Sequence, residues 1–148
     1  LDLGSFEVVK TAGKDLYDLL DKYIDIVFAN EDEARAFTGD DDLEEALEEL
    51  SSLCDIAAVK LGAEGAMLKD KKSKVVVEAQ KAETVVDTTG AGDFWAAGFL
   101  FGLINDLPLE DCGKLGAMIG AEVVQQLGAN LPEDRWDKLI SEFKSKMK

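Results

Sequence analysis

Hydrophobic and polar positions alternate along this chain with two different periods. From about Ser5 to Tyr23 apolar residues recur at helical spacing, with Leu16, Leu19 and Leu20 on one face. Ile24-Asp25-Ile26-Val27-Phe28 then reads as a short buried strand. Asn30 follows as a predicted helix N-cap, and Glu31, Asp32 and Glu33 fill the first turn, where free amides and the helix dipole favour anions. Gly39 stops that helix. Asp40-Asp41-Asp42 starts another, with Leu43, Ala46, Leu47 and Leu50 on one side and Glu44, Glu45, Glu48 and Glu49 turned outward. Ile56 to Leu61 is the next predicted strand.

Beyond Leu61 the connections shorten. Gly62-Ala63-Glu64-Gly65 predicts a tight turn into Ala66-Met67-Leu68-Lys69, and Asp70-Lys71-Lys72 a second turn into a strand from Lys74 to Glu78. This stretch is a small antiparallel meander. Thr84-Val85-Val86 leads into a glycine-containing turn, and three helical patterns close the chain: Asp93 to Ile104, Leu109 to Leu127 and Glu133 to Lys146. Pro108 and Pro132 sit at or near helix starts, where a missing N–H is tolerated. The layout predicts a layered α/β fold with a mostly parallel sheet, the meander, and helices on both faces.

Composition narrows the function. The chain has 148 residues, about one domain's worth, and 47% of them are apolar, enough for a real core. Sixteen Lys and Arg against 31 Asp and Glu give a net charge of −15, which argues against nucleic acid as a partner. There is no histidine, so Ser-His-Asp and Cys-His mechanisms and His-rich zinc sites are excluded. Cys54 and Cys112 are too few for a disulfide scaffold, suit a reducing compartment and predict a cytoplasmic protein. The longest uncharged stretch, Phe94 to Asn105, is far shorter than the roughly 20 apolar residues that span a bilayer, so no membrane partner is expected. The opening Leu1-Asp2-Leu3 alternates like a strand already under way, and a longer parent protein is expected.

The segment that carries chemistry is Asp87-Thr88-Thr89-Gly90-Ala91-Gly92-Asp93, followed by an almost wholly apolar helix. Small residues let the turn fold tightly, and the first helical turn leaves backbone amides without intrahelical partners. Such amides, with the helix dipole, form an anion pocket suited to a phosphate. Asp93 on its rim offers a carboxylate that can take a proton from a hydroxyl attacking phosphorus; phosphoryl transfer asks for little beyond positioning, a base and charge stabilisation. The plainer alternative is that Asp93 only caps its helix. The acidic run from Asp40 to Glu49 lacks the alternating oxygen ligands and central glycine of a calcium loop and reads as a solvated face. Trp95, Trp136 and both cysteines read as packing residues.

The motif Asp87 to Asp93 resembles the D-T-x-G-A-G-D signature of the ribokinase-like (PfkB) carbohydrate and nucleoside kinases. Asn30-Glu31-Asp32-Glu33 resembles the family's N-x-x-E motif and Lys60-Leu61-Gly62-Ala63-Glu64-Gly65 its L-G-x-x-G strand-turn. Gly128-Ala129, within Val123 to Pro132, resembles the closing V-x-x-x-G-A stretch. These pieces occur in the family's order across nearly the whole chain.

The resemblance implies a ribokinase-like fold, with residues 1–148 as one α/β domain holding the C-terminal, ATP-binding portion of a longer kinase. It implies ATP-dependent transfer to a hydroxyl of a sugar or nucleoside, with ATP and Mg²⁺ as cofactors. Asp93 is then the catalytic base, and the amides of Gly90, Ala91, Gly92 and Asp93 are the anion hole. Asn30 and Glu33 lie near the triphosphate, Glu33 placing Mg²⁺ through water; both also suit a plain capping box. Lys60, Gly62 and Gly65 form the nucleotide-contacting turn, or else an ordinary hairpin. Where relatives place a polar side chain beside the adenine, this chain offers Leu115, Gly116, Ala117 and Gly120. Asp87 and Thr89 match positions that bind a monovalent cation such as K⁺ in some relatives. Because the family's preceding half supplies most acceptor contacts, the isolated 148 residues are expected to be inactive. A non-catalytic nucleotide-binding or dimerising remnant stays open as the alternative, and with it a homodimer.

Overall fold

The computed structural model describes residues 1–146, with side chains to residue 143. Its contacts gather into two compact units, Leu1–Val77 and Glu78–Lys148.

The first unit is built from α1 (Phe6–Tyr23), β1 (Ile26–Asn30), α2 (Glu31–Thr38), α3 (Leu43–Leu53), β2 (Ile56–Lys60), β3 (Ala66–Asp70) and β4 (Lys74–Val77). Local chemistry sets the helix ends. Ser5 caps α1 by accepting the Val8 amide, Asp42 caps α3 by accepting that of Glu44, and Gly39 closes α2 at φ +74°, the left-handed conformation that glycine adopts without strain. The single helix expected from Ser5 to Tyr23 is broken at Gly13 (φ 46°, ψ −120°), where the absent side chain tolerates a non-helical residue.

The four strands form one sheet in the order β1-β2-β3-β4. β1 and β2 are parallel, with α2 and α3 as the crossover between them, and the other two ladders are antiparallel. The sheet is therefore mixed rather than mostly parallel. The connections after β2 and β3 are too short to carry a chain back to the start of a parallel neighbour. Leu1 to Leu3 adds a short parallel bridge, Asp2 to Phe28, on the edge of β1 that β2 leaves free.

Val27, Ala29, Ala57, Val59 and Met67, alternate residues of three strands, join Val9, Leu16 and Leu20 of α1, Ala34 of α2 and Ala46, Leu47 and Leu50 of α3 in one buried cluster. Helices of this unit therefore pack on one face of its sheet. The outward Glu44 and Glu48 of α3 meet Lys69 and Lys74 of the hairpin as surface ion pairs.

The second unit has no strand among its described residues. It comprises α4 (Ala91–Ile104), α5 (Leu109–Val123) and α6 (Glu133–Lys146). α4 and α5 lie close because glycines remove the intervening side chains. A Cβ on Gly98 would come within 3.0 Å of Leu115 O and Gly116 Cα, and one on Gly102 would touch Cys112. Trp95, 7% exposed, stacks on Phe99, and Phe94 stacks on Trp136 of α6 at 6.0 Å, so both tryptophans are packing residues. Cys54 and Cys112 are free and buried.

Candidate active site

β1 and β2 end side by side, with Asn30 in register with Lys60. Ligands of α/β sheets bind beyond the carboxyl ends of parallel strands, so this edge holds the first group of candidates. Asn30 caps α2 through a closed reciprocal pair. Its Oδ1 accepts the Glu33 amide at 2.9 Å, while Glu33 Oε2 accepts the Asn30 amide and Oε1 accepts Asn30 Nδ2, each at 2.8 Å. Glu33 is 3% exposed, and each carboxylate oxygen keeps one further lone pair. The capping-box role is thus present, with one lone pair on each carboxylate oxygen left over.

Lys60 is held as well: its Nζ donates to Asp2 Oδ2 at 2.7 Å, and its side chain is 13% exposed. Asp2 is a residue the motif reading misses, because it stands 58 positions away. The turn after β2 is a short 3-10 helix, Gly62–Glu64, closed by Leu61 donating to the Gly65 carbonyl at 2.8 Å. Gly62 (φ +54°) and Gly65 (φ +109°) are required by conformation, and the space beside Gly62 is open.

The second group surrounds the start of α4. Gly90 is its N-cap at φ +76°, with no side-chain cap. A Cβ there would lie 2.5 Å from Ala129 Cβ, so Gly128-Ala129 and the glycine turn meet in space. The Ala91 amide is spent on the Thr88 carbonyl (3.1 Å), and the Gly90 carbonyl accepts the first helical bond, from Phe94. Among the described residues the amides of Gly90, Gly92 and Asp93 have no protein acceptor, and the exposed Asp93 carboxylate has no donor. A helix cap would bind its own backbone; Asp93 binds none. Of the four expected anion-hole amides, that of Ala91 is already committed.

Asp87 is engaged through both carboxylate oxygens. Its Oδ1 accepts the Thr89 amide (2.9 Å) and hydroxyl (2.7 Å), and its Oδ2 accepts the Gly128 amide (2.9 Å). The Thr89 hydroxyl, then the Thr89 and Gly128 amides, hold its carboxyl below the usual aspartate range. Oδ1 is filled by its two donors, while Oδ2 keeps one further lone pair.

The adenine-side residues separate. Gly116 faces Trp95, whose ring and carbonyl oxygen would lie 2.8 Å from an added Cβ, and Gly120 faces Trp95 and the Ala91 carbonyl at 3.5–3.6 Å. Their missing side chains serve helix packing. Ala117 and Leu115 instead line a cleft of about 240 Å³ with Glu78, Gln80, Lys114 and Met118. No group of three or more His, Cys, Asp or Glu side chains among the described residues is arranged to hold a metal by itself. No helix of the described residues is long and apolar enough to cross a membrane.

A glycine-opened helix start with free amides suits an anion such as a phosphate. Residues 7–136 match the family described as pfkB family carbohydrate kinase, and the chain belongs to that family. It is 34% identical over 128 residues to ribokinase of Lactococcus lactis subsp. lactis, covering 85% of this chain and 39% of the relative. Among solved structures, adenosine kinase from Sinorhizobium meliloti superposes with TM-score 0.89 at 37% identity, over 95% of this chain and 43% of that one. Arabidopsis thaliana ribokinase complexed with ribose and ATP superposes with TM-score 0.74 at 27% identity, over 94% and 51%. The fold is thus ribokinase-like, and the chain spans between 39% and 51% of these relatives' own lengths.

Proposed function

We propose that this chain is the nucleotide-binding and catalytic-base portion of an ATP-dependent kinase that phosphorylates a hydroxyl of a sugar or nucleoside. One observation carries the reading. Two successive amides, of Gly92 and Asp93, and the Asp93 carboxylate lie together in one helical turn with no partner among the described residues. Free amides at a helix start, with the helix dipole, favour an anion, and the exposed carboxylate beside them is open to an approaching hydroxyl.

In this reading Asp93 accepts the proton of the acceptor hydroxyl as that oxygen attacks the terminal phosphorus of ATP, and the bond from that phosphorus to the bridging oxygen breaks to release ADP. The Gly92 and Asp93 amides, with Gly90, meet the charge that develops on the transferring phosphoryl oxygens. When bound, Mg²⁺ would supply charge neutralisation at the phosphates. Glu33 would hold it through water. Lys60, Gly62 and Gly65 are assigned to the nucleotide, and Ala117 and Leu115 to its base. A monovalent cation such as K⁺ at Asp87 and Thr89 would use the lone pair that Oδ2 keeps. Sugars and nucleosides follow from the relatives' names, ribokinase and adenosine kinase. The free thiols Cys54 and Cys112 suit a cytoplasmic protein. By itself the 148-residue chain is expected to bind ATP·Mg²⁺ with little turnover.

Asp93→Asn tests the base in the full protein that carries this chain. Turnover on a sugar and nucleoside panel should fall by about 10²–10⁴-fold, while calorimetric affinity for ATP·Mg²⁺ stays nearly constant. Turnover close to wild type in that variant removes Asp93 from the chemistry. ATP binding without turnover by the unmutated full protein would favour a non-catalytic nucleotide-binding role.

A further inference from the structure

We infer that Asp87 is a positioning residue, a clasp that fixes the start of α4 by tying the Thr88-Thr89 turn to the Gly128-Ala129 turn. The inference rests on the kinase reading above, but its geometry stands independently.

Three donors converge on one carboxylate: the amide and hydroxyl of Thr89 on Oδ1, and the Gly128 amide, 41 residues away, on Oδ2. Beside it, the amides of Val86 and Asp87 both donate to the Val124 carbonyl, at 2.8 and 3.2 Å. The backbone pair therefore anchors one end of the segment 124–128, and the Asp87 side chain closes the other. What this closure delivers is the next residue, Ala129. Its methyl is laid against Gly90, so near that an added Cβ would stand 2.5 Å away. Gly90 holds the left-handed twist from which α4 starts, and Gly92 and Asp93 follow within one turn. Packed contacts of this kind transmit displacement rather than absorbing it. If the clasp opens, Ala129 is released from Gly90 and the direction of the Gly92 and Asp93 amides is no longer fixed. Asp87 touches neither phosphate nor acceptor in this scheme; it acts through Gly90.

A merely structural aspartate lowers stability and nothing more, whereas a positioning one separates kcat from KM. Misplacing a reacting group by about 1 Å costs about 100-fold in rate. Asp87→Ala in the full protein should therefore lower kcat about 100-fold and leave the KM for ATP within about threefold. In the same variant hydrogen exchange of the Gly128 amide should rise at least tenfold. Thr89→Val, which removes one Oδ1 donor and spares the Gly128 bond, should leave that exchange unchanged and lower kcat less than tenfold.

A folded Asp87→Ala protein with kcat within twofold of wild type overturns the inference, as does a raised KM at unchanged kcat. Unaltered exchange at Gly128 shows that no clasp exists, whatever the enzyme does. Should Asp87→Ala not fold, the isosteric Asp87→Asn, which turns an amide NH₂ toward an N–H donor, is read by the same two measurements. If the unmutated full protein lacks turnover while the exchange effect is present, the kinase reading fails and the clasp stands as geometry alone; the positioning role is then refuted with it.

Discussion

Replacing Gly116 and Gly120 by alanine, one at a time, should move stability in opposite directions. Both glycines lie within α5, where alanine is favoured over glycine by about 1 kcal/mol. At Gly120 the nearest atoms to an added Cβ are 3.5–3.6 Å away, ordinary van der Waals contact, so most of that gain is realised. At Gly116 the same methyl would lie 2.8 Å from Cδ2, Cε2 and the carbonyl oxygen of Trp95. An indole can turn, but the carbonyl belongs to the backbone of α4 and cannot move unless that helix does. Overpacking of this kind costs about 1–3 kcal/mol. A backbone neighbour places Gly116→Ala toward the upper end, for a net loss of about 1–2 kcal/mol.

Urea unfolding followed by helical circular dichroism measures the difference without relying on the fluorescence of Trp95. With a slope of roughly 1–3 kcal/mol per M for a small protein, the midpoint should fall by about 1 M for Gly116→Ala and rise by about 0.5 M for Gly120→Ala. Equal stability of Gly116→Ala and wild type, or destabilisation by Gly120→Ala, would refute the packing argument. Calorimetry with ATP·Mg²⁺ on Gly120→Ala adds a second check. Unchanged affinity keeps that glycine in the helix interface; a large loss returns it to the nucleotide.

Two further substitutions probe the carboxyl ends of β1 and β2. Asn30→Ala removes the cap of α2 and the Nδ2 bond to Glu33, keeping only the backbone bond from residue 30, and should cost about 1–2 kcal/mol by urea titration; Asn30→Asp, which keeps the acceptor but sets a second carboxylate against Glu33, should be no better. Asp2→Ala leaves the largely buried Lys60 ammonium without its partner, for a loss of roughly 1–3 kcal/mol, between the values for exposed and buried pairs. The double variant Asp2→Ala with Lys60→Met should recover part of that loss, and failure to do so would show that the pair is not coupled.

Much of the architecture is legible in local patterns. Asn30 followed by Glu33 announced a capping box, and the box is there, because both partners lie within one helical turn. Gly39 ended α2 and Gly90 began α4 in the left-handed conformation that only glycine adopts freely. The meander followed from two connections too short for a crossover. Gly13 was less legible: its break in α1 lies inside an otherwise continuous helical period, and nothing in that period marks it.

The candidate site divides along the same line. The amphipathic periods, caps and turn chemistry that depend on neighbours three or four residues away were determined by the chain itself, and so was the motif that offers free amides beside Asp93. Which groups stay free was decided only by folding. Lys60 finds Asp2 across 58 positions, Asp87 finds Gly128 across 41, and Gly116 and Gly120 find Trp95 on another helix. Hydrogen-bond capacity and space are finite, so a residue's availability to a ligand depends on which distant atoms claim it first, and distant atoms meet only in the tertiary structure.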